Sequence, residues 1–319
     1  MANLFSFLFL GTLGWGISLY LMKILLVSLT PTEIVLYRMV IGAASLFILA
    51  KLFKLKTDNI RGLILDGIIV GTFNMTLPFY LTTYAVKTVS SSLASVINGL
   101  TPLCTLILGM VFFSSKQKLG VLNLLSIVLG FIGIIIINSD MSIYQGSAIE
   151  FIALLATTIS YGVTANYFKY HARTKDPILV SAVSALVSAI TMLIFKCATE
   201  SSINSWRIPQ DMHQIIALLW LGVIGSGFCL YLYCSLIQNA GAVFASMITY
   251  LMTITGVIMG MIFLHETISH QVMIGCIFIF FSLILVNHAP LLEKILVSIS
   301  RQISLKSARR YELNQQINS

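Results

Sequence analysis

Charge is what this chain has least of. Only 9% of its 319 residues are charged, 58% are hydrophobic, and the mean hydropathy is +0.96. Soluble domains carry about 25% charged residues, and so few polar side chains cannot cover a 35.1 kDa globule in water. A water-soluble enzyme, a disordered chain and a coiled coil are excluded; the remaining solvent is lipid. Cysteine is scarce too. Cys104, Cys197, Cys229, Cys234 and Cys276 all sit in apolar runs without the paired spacing of a zinc or redox site, so they read as packing residues. No G-x4-G-K-[ST] run exists to hold a nucleotide. None of the five histidines lies well inside an apolar run, which leaves Ser-His-Asp and Cys-His chemistry without its base. His265, Glu266 and His270 have no further ligand nearby, so neither a metal nor a cofactor is expected.

The net charge of +8 does not point to nucleic acid. The basic residues fall in short runs between apolar stretches rather than on one face, as at a membrane surface. A spanning helix needs about 20 apolar residues. Ten such runs are present, at about 4–24, 32–50, 62–85, 90–113, 119–138, 146–168, 178–196, 214–237, 242–264 and 270–288. Thr30-Pro31, Asp58-Asn59, Asp176-Pro177 and Asn239-Ala240-Gly241 punctuate the joints. The expected fold is therefore an all-α integral membrane protein of ten helices. Met1-Ala2-Asn3 supplies no basic region ahead of the first run, which reads as a retained helix rather than a leader. With the N-terminus inside, fourteen Lys and Arg fall on the cytoplasmic side and four (Lys23, Lys87, Lys196, Arg207) on the other. Both termini should then face the cytoplasm. Beyond the last run, 289–319 is expected to be a cytoplasmic tail. Leu292, Ile295, Leu296, Ile299 and Ile303 at helical spacing suggest an amphipathic helix on the inner leaflet, followed by disorder from 307.

The chain also repeats. Residues 94–113 and 245–264 align without a gap at an offset of 151, with eight identities in twenty. The same offset pairs Tyr80 with Tyr231. At an offset of 146, Thr12 pairs with Thr158, Trp15 with Tyr161, Gly16 with Gly162, Lys23 with Lys169 and Pro31 with Pro177. Two halves of five spans follow, 1–140 and 144–288. Five is odd, so the second half must enter the membrane the opposite way up. Inverted repeats with a site where they meet are characteristic of secondary transporters.

With these residues in place, the sequence resembles the drug/metabolite transporter superfamily, in its EamA-type branch. The first half carries Trp15-Gly16, Lys23, the Pro31-x6-Arg38 arrangement, Tyr84-Ala85 and the stretch from Ala94-Ser95 to Pro102. The second carries Gly241-Ala242, Ala245-Ser246, Tyr250-Leu251 and a G-x3-L-x-E ending from Gly260 to Glu266. Ser115 stands where the family usually has Glu, and Thr253 where it usually has Pro. The resemblance implies an inner-membrane carrier of a small metabolite, with amino acids or similar compounds moved outward as the expected cargo. Uptake of a nucleoside-like or cofactor-like metabolite is the alternative within that class, and a non-transporting scaffold the alternative outside it. The partners expected are a small-molecule substrate and the lipid bilayer, with a homodimer left open.

Several residues stand out against this frame. Arg38 lies about 10 Å down its helix from Pro31. It could contact an anion in the pathway, or anchor at the outer rim paired with Glu33 or a carbonyl. Asp66, Glu150 and Glu266 are carboxylates within or at the ends of the spans, none near a midpoint, so proton coupling has no evident carrier. Glu266 is the best candidate, with a helix-end hydrogen bond as its structural alternative. Pro102 removes a helical N–H and frees the carbonyl near residue 98, beside Asn98 and Thr101, either for cargo or for a kink closed by Thr101. Arg38, Pro102 and Glu266 are the gating or structural candidates, and the proline-bearing half is expected to move more. Trp15, Tyr80, Tyr84, Asn98, Tyr161, Tyr231 and Tyr250 are the expected cargo-binding set. Gly67-x3-Gly71 and Gly256-x3-Gly260 read as close helix contacts.

Overall fold

A computed structural model of the chain describes residues 2–112, 121–138, 148–172, 175–199, 206–209, 211–265, 269–271, 273–278, 280–282 and 284–285. Among the described residues every regular element is helical. Eight helices among these residues are long and apolar enough to cross a membrane. They are α1 (Asn3–Leu25), α2 (Pro31–Leu52), α3 (Ile60–Ala85), α4 (Ser91–Phe112), α6 (Ala148–His171), α7 (Pro177–Thr199), α8 (Met212–Ala240) and α9 (Ala242–Phe263). Between the two groups of four lies α5, the apolar helix Val121–Asn138. Residues 273–278 and 280–282 are helical within the last expected run. The first nine expected runs coincide with α1 to α9 to within three residues at each end. Glu266 and the expected tail lie outside the described residues.

The helix starts follow from local chemistry. Thr30 caps α2 in a reciprocal box: its hydroxyl accepts from Glu33 N, and Glu33 accepts from Thr30 N, while Pro31 occupies the first turn. Asn59 Oδ1 accepts from Gly62 N at 2.8 Å, Ser90 Oγ from Leu93 N at 3.1 Å, and Asp176 Oδ1 from Ile178 N at 2.8 Å. Gly241 alone separates α8 from α9, at φ +92°, a left-handed backbone that a side chain would strain.

The exterior is as apolar as the core, unlike the surface of a soluble protein. Phe5, Val27, Ile48, Ile152, Ile194 and Phe263 are exposed, whereas Thr83, Ser91, Thr105, Thr157, Thr158, Ser181, Ser184 and Ser188 are buried. Lipid is as apolar as leucine, so the helices are held by close packing and hydrogen bonds worth about 0.6 kcal/mol each on average. Small residues permit the approach. A Cβ on Gly67 would overlap Val183, and one on Gly71 would lie 2.6 Å from the Ser184 carbonyl, which seats α3 on α7. A Cβ on Gly256 would run into Ser95, which seats α9 on α4.

The packing between the first four and last four helices is reciprocal. Helix α2 lies on α7, and α4 on α9. The contact of α3 with α6 is matched by α8 with α1, that of α2 with α8 by α7 with α3, and that of α4 with α6 by α9 with α1. Each match follows the pairing that the sequence offsets of 146 and 151 supply.

Three helices contain a widened turn, at Leu10–Gly14 in α1, Gly71–Thr76 in α3 and Trp220–Phe228 in α8. The latter two overlap at the 151 offset. A widened turn frees a carbonyl from the helical ladder, and each of these two is closed by the opposite half. Ser160 on α6 donates to Phe73 O at 2.6 Å, and Trp15 Nε1 on α1 donates to Gly225 O at 2.6 Å. Helices α4 and α9 are also interrupted, at Gly99-Leu100 and at Met247.

Candidate functional site

Where the interrupted and widened helices meet, they enclose a cavity of about 60 Å³. Helix α1 supplies Trp15, Ser18 and Met22, α2 supplies Arg38, and α3 supplies Asn74, Phe79 and Thr82. Asn98 and Thr101 come from α4, Tyr161 from α6, Tyr233 from α8, and Ser246, Thr249 and Met252 from α9. Four pairs on this wall are repeat mates: Trp15 with Tyr161, Thr82 with Tyr233, Asn98 with Thr249, and Thr101 with Met252. The two halves thus present equivalent positions to one space.

The aromatic wall is rigid. Trp15 is fixed by its bond to Gly225 O and packs edge-on against Tyr233, ring centroids 5.2 Å apart. Arg38 is 1% exposed. Its Nε donates to Ser226 Oγ at 2.9 Å, Nη1 points at Met22 Sδ 3.8 Å away, and the guanidinium lies 4.1 Å over the Phe79 ring. The polar side chains are less well served. Asn74 Oδ1 and Asn98 Oδ1, on the cavity wall, and Ser95 Oγ, one turn from Asn98, are buried without a hydrogen-bond partner. Each such atom costs about 1–3 kcal/mol unless something joins it. Two of these atoms, the amide oxygens of Asn74 and Asn98, therefore border the cavity with hydrogen-bond capacity to spare.

Of the residues expected to bind cargo, Trp15, Asn98 and Tyr161 come together here, and Arg38 joins them. Tyr80, Tyr84 and Tyr231 lie outside this cavity. Tyr80 stacks on Tyr84 at 6.4 Å and meets Phe195 edge-on at 5.4 Å, Tyr84 is 38% exposed, and Tyr231 packs on Phe228 at 6.0 Å. Tyr250 lines a separate apolar groove with Thr253, Cys276 and Phe280. The physical reason is rotational: Tyr80 and Tyr84 are four residues apart on one face of α3, whereas Phe79 and Thr82 occupy the face turned to the cavity. Pro102 is buried but does not line the cavity, and the carbonyl it frees is closed by Thr101 Oγ1, which donates to Asn98 O at 2.7 Å. In α9 the equivalent Thr253 Oγ1 lies 2.8 Å from both Thr249 O and Ser95 O, so it ties α9 to α4.

Glu33 does not serve Arg38. Glu33 and Lys196 are both fully buried and form a 3.0 Å ion pair, with Arg207 N donating to Glu33 Oε1 at 2.8 Å. Asp66, at the other end of the bundle's interface, pairs with Lys175 and accepts from Tyr167 Oη at 2.8 Å. Both pairs join a carboxylate of the first half to a lysine of the second. No group of three or more metal-ligating side chains occurs among the described residues.

Asn74, Phe79, Thr82, Tyr233 and Thr249 were not among the expected site residues. Applying the 151 offset to Asn98 gives Thr249 directly, so that signal was present. Asn74 carried one as well, an amide at the midpoint of the run 62–85, although nothing in GTFNMT announces the widened turn that holds it.

Comparison with known proteins agrees with this architecture. The EamA-like transporter family matches residues 4–139 and again 148–288. The chain is 23% identical to the uncharacterized transporter YoaV of Bacillus subtilis, over 84% of this chain and 91% of that one. It is 26% identical to the protein PagO of Salmonella typhimurium, over 75% and 78% respectively. One crystal structure covers 89% of the chain and 97% of its own with a TM-score of 0.66 at 17% identity, a likeness of fold.

Proposed function

Since this chain belongs to the EamA-like transporter family, and is a multi-pass membrane transporter of a small molecule rather than an enzyme, we propose that it exports an amino acid or amino-acid-like metabolite by alternating access between two inverted five-helix halves. In this reading residues 1–140 and 144–288 are the halves, ten helices cross the inner membrane, and both termini are cytoplasmic. The cargo site is the cavity walled by Trp15, Asn98 and Tyr161. The observation that carries the proposal is the occurrence of four repeat-mate pairs on that wall, together with reciprocal packing of the helices around it. A pathway bounded by equivalent elements of opposite orientation can open to either side by exchanging the two halves' conformations. The unpartnered polar atoms supply its affinity, and the apolar wall supplies the path.

The test compares metabolites inside and outside cells that lack the protein, express it, or express Asn98→Leu. Export predicts that one amino-acid-like compound accumulates inside when the protein is absent and outside when it is supplied, with Asn98→Leu behaving as the deletion at equal abundance. Accumulation inside on expression would reverse the direction.

A further inference from the structure

The central cavity contains a cation with no counter-ion among the described residues that line it. Arg38 is almost fully buried on α2, and its described neighbours are a hydroxyl, a thioether and an aromatic face, all neutral. The carboxylates that could have served it are engaged elsewhere, Glu33 with Lys196 and Asp66 with Lys175. Among the described residues no Asp or Glu lines the cavity. A guanidinium inside a membrane normally pairs, snorkels or faces water, and Arg38 does none of these within the chain's own described structure. Its Nη2 lies beside Gly225, where even an added Cβ would only come into van der Waals contact at 3.6 Å, and its guanidinium borders the cavity. The Nη1–Nη2 edge of an arginine is a planar fork that matches the two oxygens of a carboxylate.

The other polar atoms have the complementary sign. Asn74 Oδ1 and Asn98 Oδ1 are acceptors in want of a donor, and they share the cavity with Arg38. The rings of Trp15, Phe79 and Tyr161 line the same cavity. We propose that Arg38 is the carboxylate anchor of the cargo site, so that the transported molecule is a monocarboxylate with an apolar or aromatic body, whose N–H or O–H donor is held by the amide oxygens of Asn98 and Asn74. This rests on the reading of the cavity as the transport site and deepens it. The fixed charge of the site is one positive, which matches a single carboxylate. A zwitterionic amino acid fits with its ammonium on neutral oxygens, whereas a free amine meets a like charge and no acid. A phosphate dianion would leave one charge unmatched against an apolar wall.

The experiment measures the melting temperature of the full-length protein in detergent with probes at about 10 mM, an excess over a weak carrier site. The probes are L-leucine, L-phenylalanine, 3-phenylpropionate, L-phenylalaninamide, phenethylamine and inorganic phosphate. At least one of the three carboxylates should raise the melting temperature by roughly 2 °C or more, while the amide, the amine and phosphate do not. In Arg38→Gln that shift should vanish and the ligand-free melting temperature should match or exceed wild type, because a cation without a counter-ion has gone. Arg38→Lys, which keeps the charge and loses the fork, should retain a smaller shift. Equal shifts with L-phenylalanine and its amide, a larger shift with phosphate, or no shift with any carboxylate would each overturn the assignment. So would a lower ligand-free melting temperature in Arg38→Gln, which would make the guanidinium a structural clamp. None of these outcomes bears on export itself, which the metabolite comparison judges separately.

Discussion

Replacing Lys196 by Met should be among the most damaging single changes outside the cavity. Lys196 and Glu33 are both fully buried, and the pair spans α7 and α2, which form a broad contact between the halves. Glu33 accepts from Lys196 Nζ at 3.0 Å, Arg207 N at 2.8 Å, Thr30 N at 2.9 Å and Thr30 Oγ1 at 3.1 Å. Lys196→Met preserves the stem's packing and strands a carboxylate, and breaking a buried pair this way costs about 3–5 kcal/mol. The three remaining donors hold the figure near the lower end. Adding Glu33→Gln removes the stranded charge and keeps an acceptor for the backbone N–H groups. The double variant should therefore regain most of the loss, with a coupling of about 2 kcal/mol or more. The assay is thermal melting of the purified protein in one detergent, where Lys196→Met should fall by roughly 5–10 °C. A fall below about 2 °C, the size expected of a solvated surface pair, would refute the reasoning. So would a double variant no more stable than the single one.

Other outcomes follow from the same contacts. Asn98→Leu removes an unpartnered buried oxygen, so transport should be lost while melting stays level or rises; unchanged transport would take Asn98 out of the site. Gly256→Val would drive a side chain into Ser95 and separate α9 from α4, costing about 1–3 kcal/mol, read as a lower melting temperature. Thr253→Ala cuts the hydroxyl link from α9 to Ser95 O, whereas Pro102→Ala restores a helical donor in α4. Initial transport rates should fall in both, and a change confined to Thr253→Ala would show that the proline is not part of the moving element. Reporter fusions after Lys56 and Lys175 should report cytoplasm and one at Trp206 the opposite side, and an external signal at Lys175 would reject the inverted repeat.

The helices were legible because lipid demands long apolar runs and the joints between them carry caps: Pro31, Asn59 and Asp176 announced their helices from composition alone. The lining of the cavity was legible only where the repeat and the depth of a residue coincided, as for Trp15, Tyr161 and Asn98. Depth does not specify which side of a helix faces the cavity. Tyr80 and Tyr233 are alike in the sequence, yet the widened turns in α3 and α8 rotate Phe79, Thr82 and Tyr233 inward and leave Tyr80 and Tyr231 outside. Those turns have no composition signature, since GTFNMT and WLGVIGSGF read as ordinary membrane helix. Charge pairing was misjudged for the same reason. Arg38 and Glu33 are neighbours along α2, but five residues place them on different sides of the helix, and Glu33 meets α7 instead.

The central claim is that one cavity between the two halves opens alternately to the two sides of the membrane. It is tested most directly by a single cysteine at Ser246 or Thr249, on the α9 wall, in a chain whose native Cys104, Cys197, Cys229, Cys234 and Cys276 have been replaced. A membrane-impermeant thiol reagent is applied either to intact cells or to inside-out vesicles, and labelling is followed over time. Alternating access predicts that the same residue is modified from both sides, each more slowly than an exposed loop cysteine, and that cargo changes both rates. Modification from one side alone, or from neither, would contradict it.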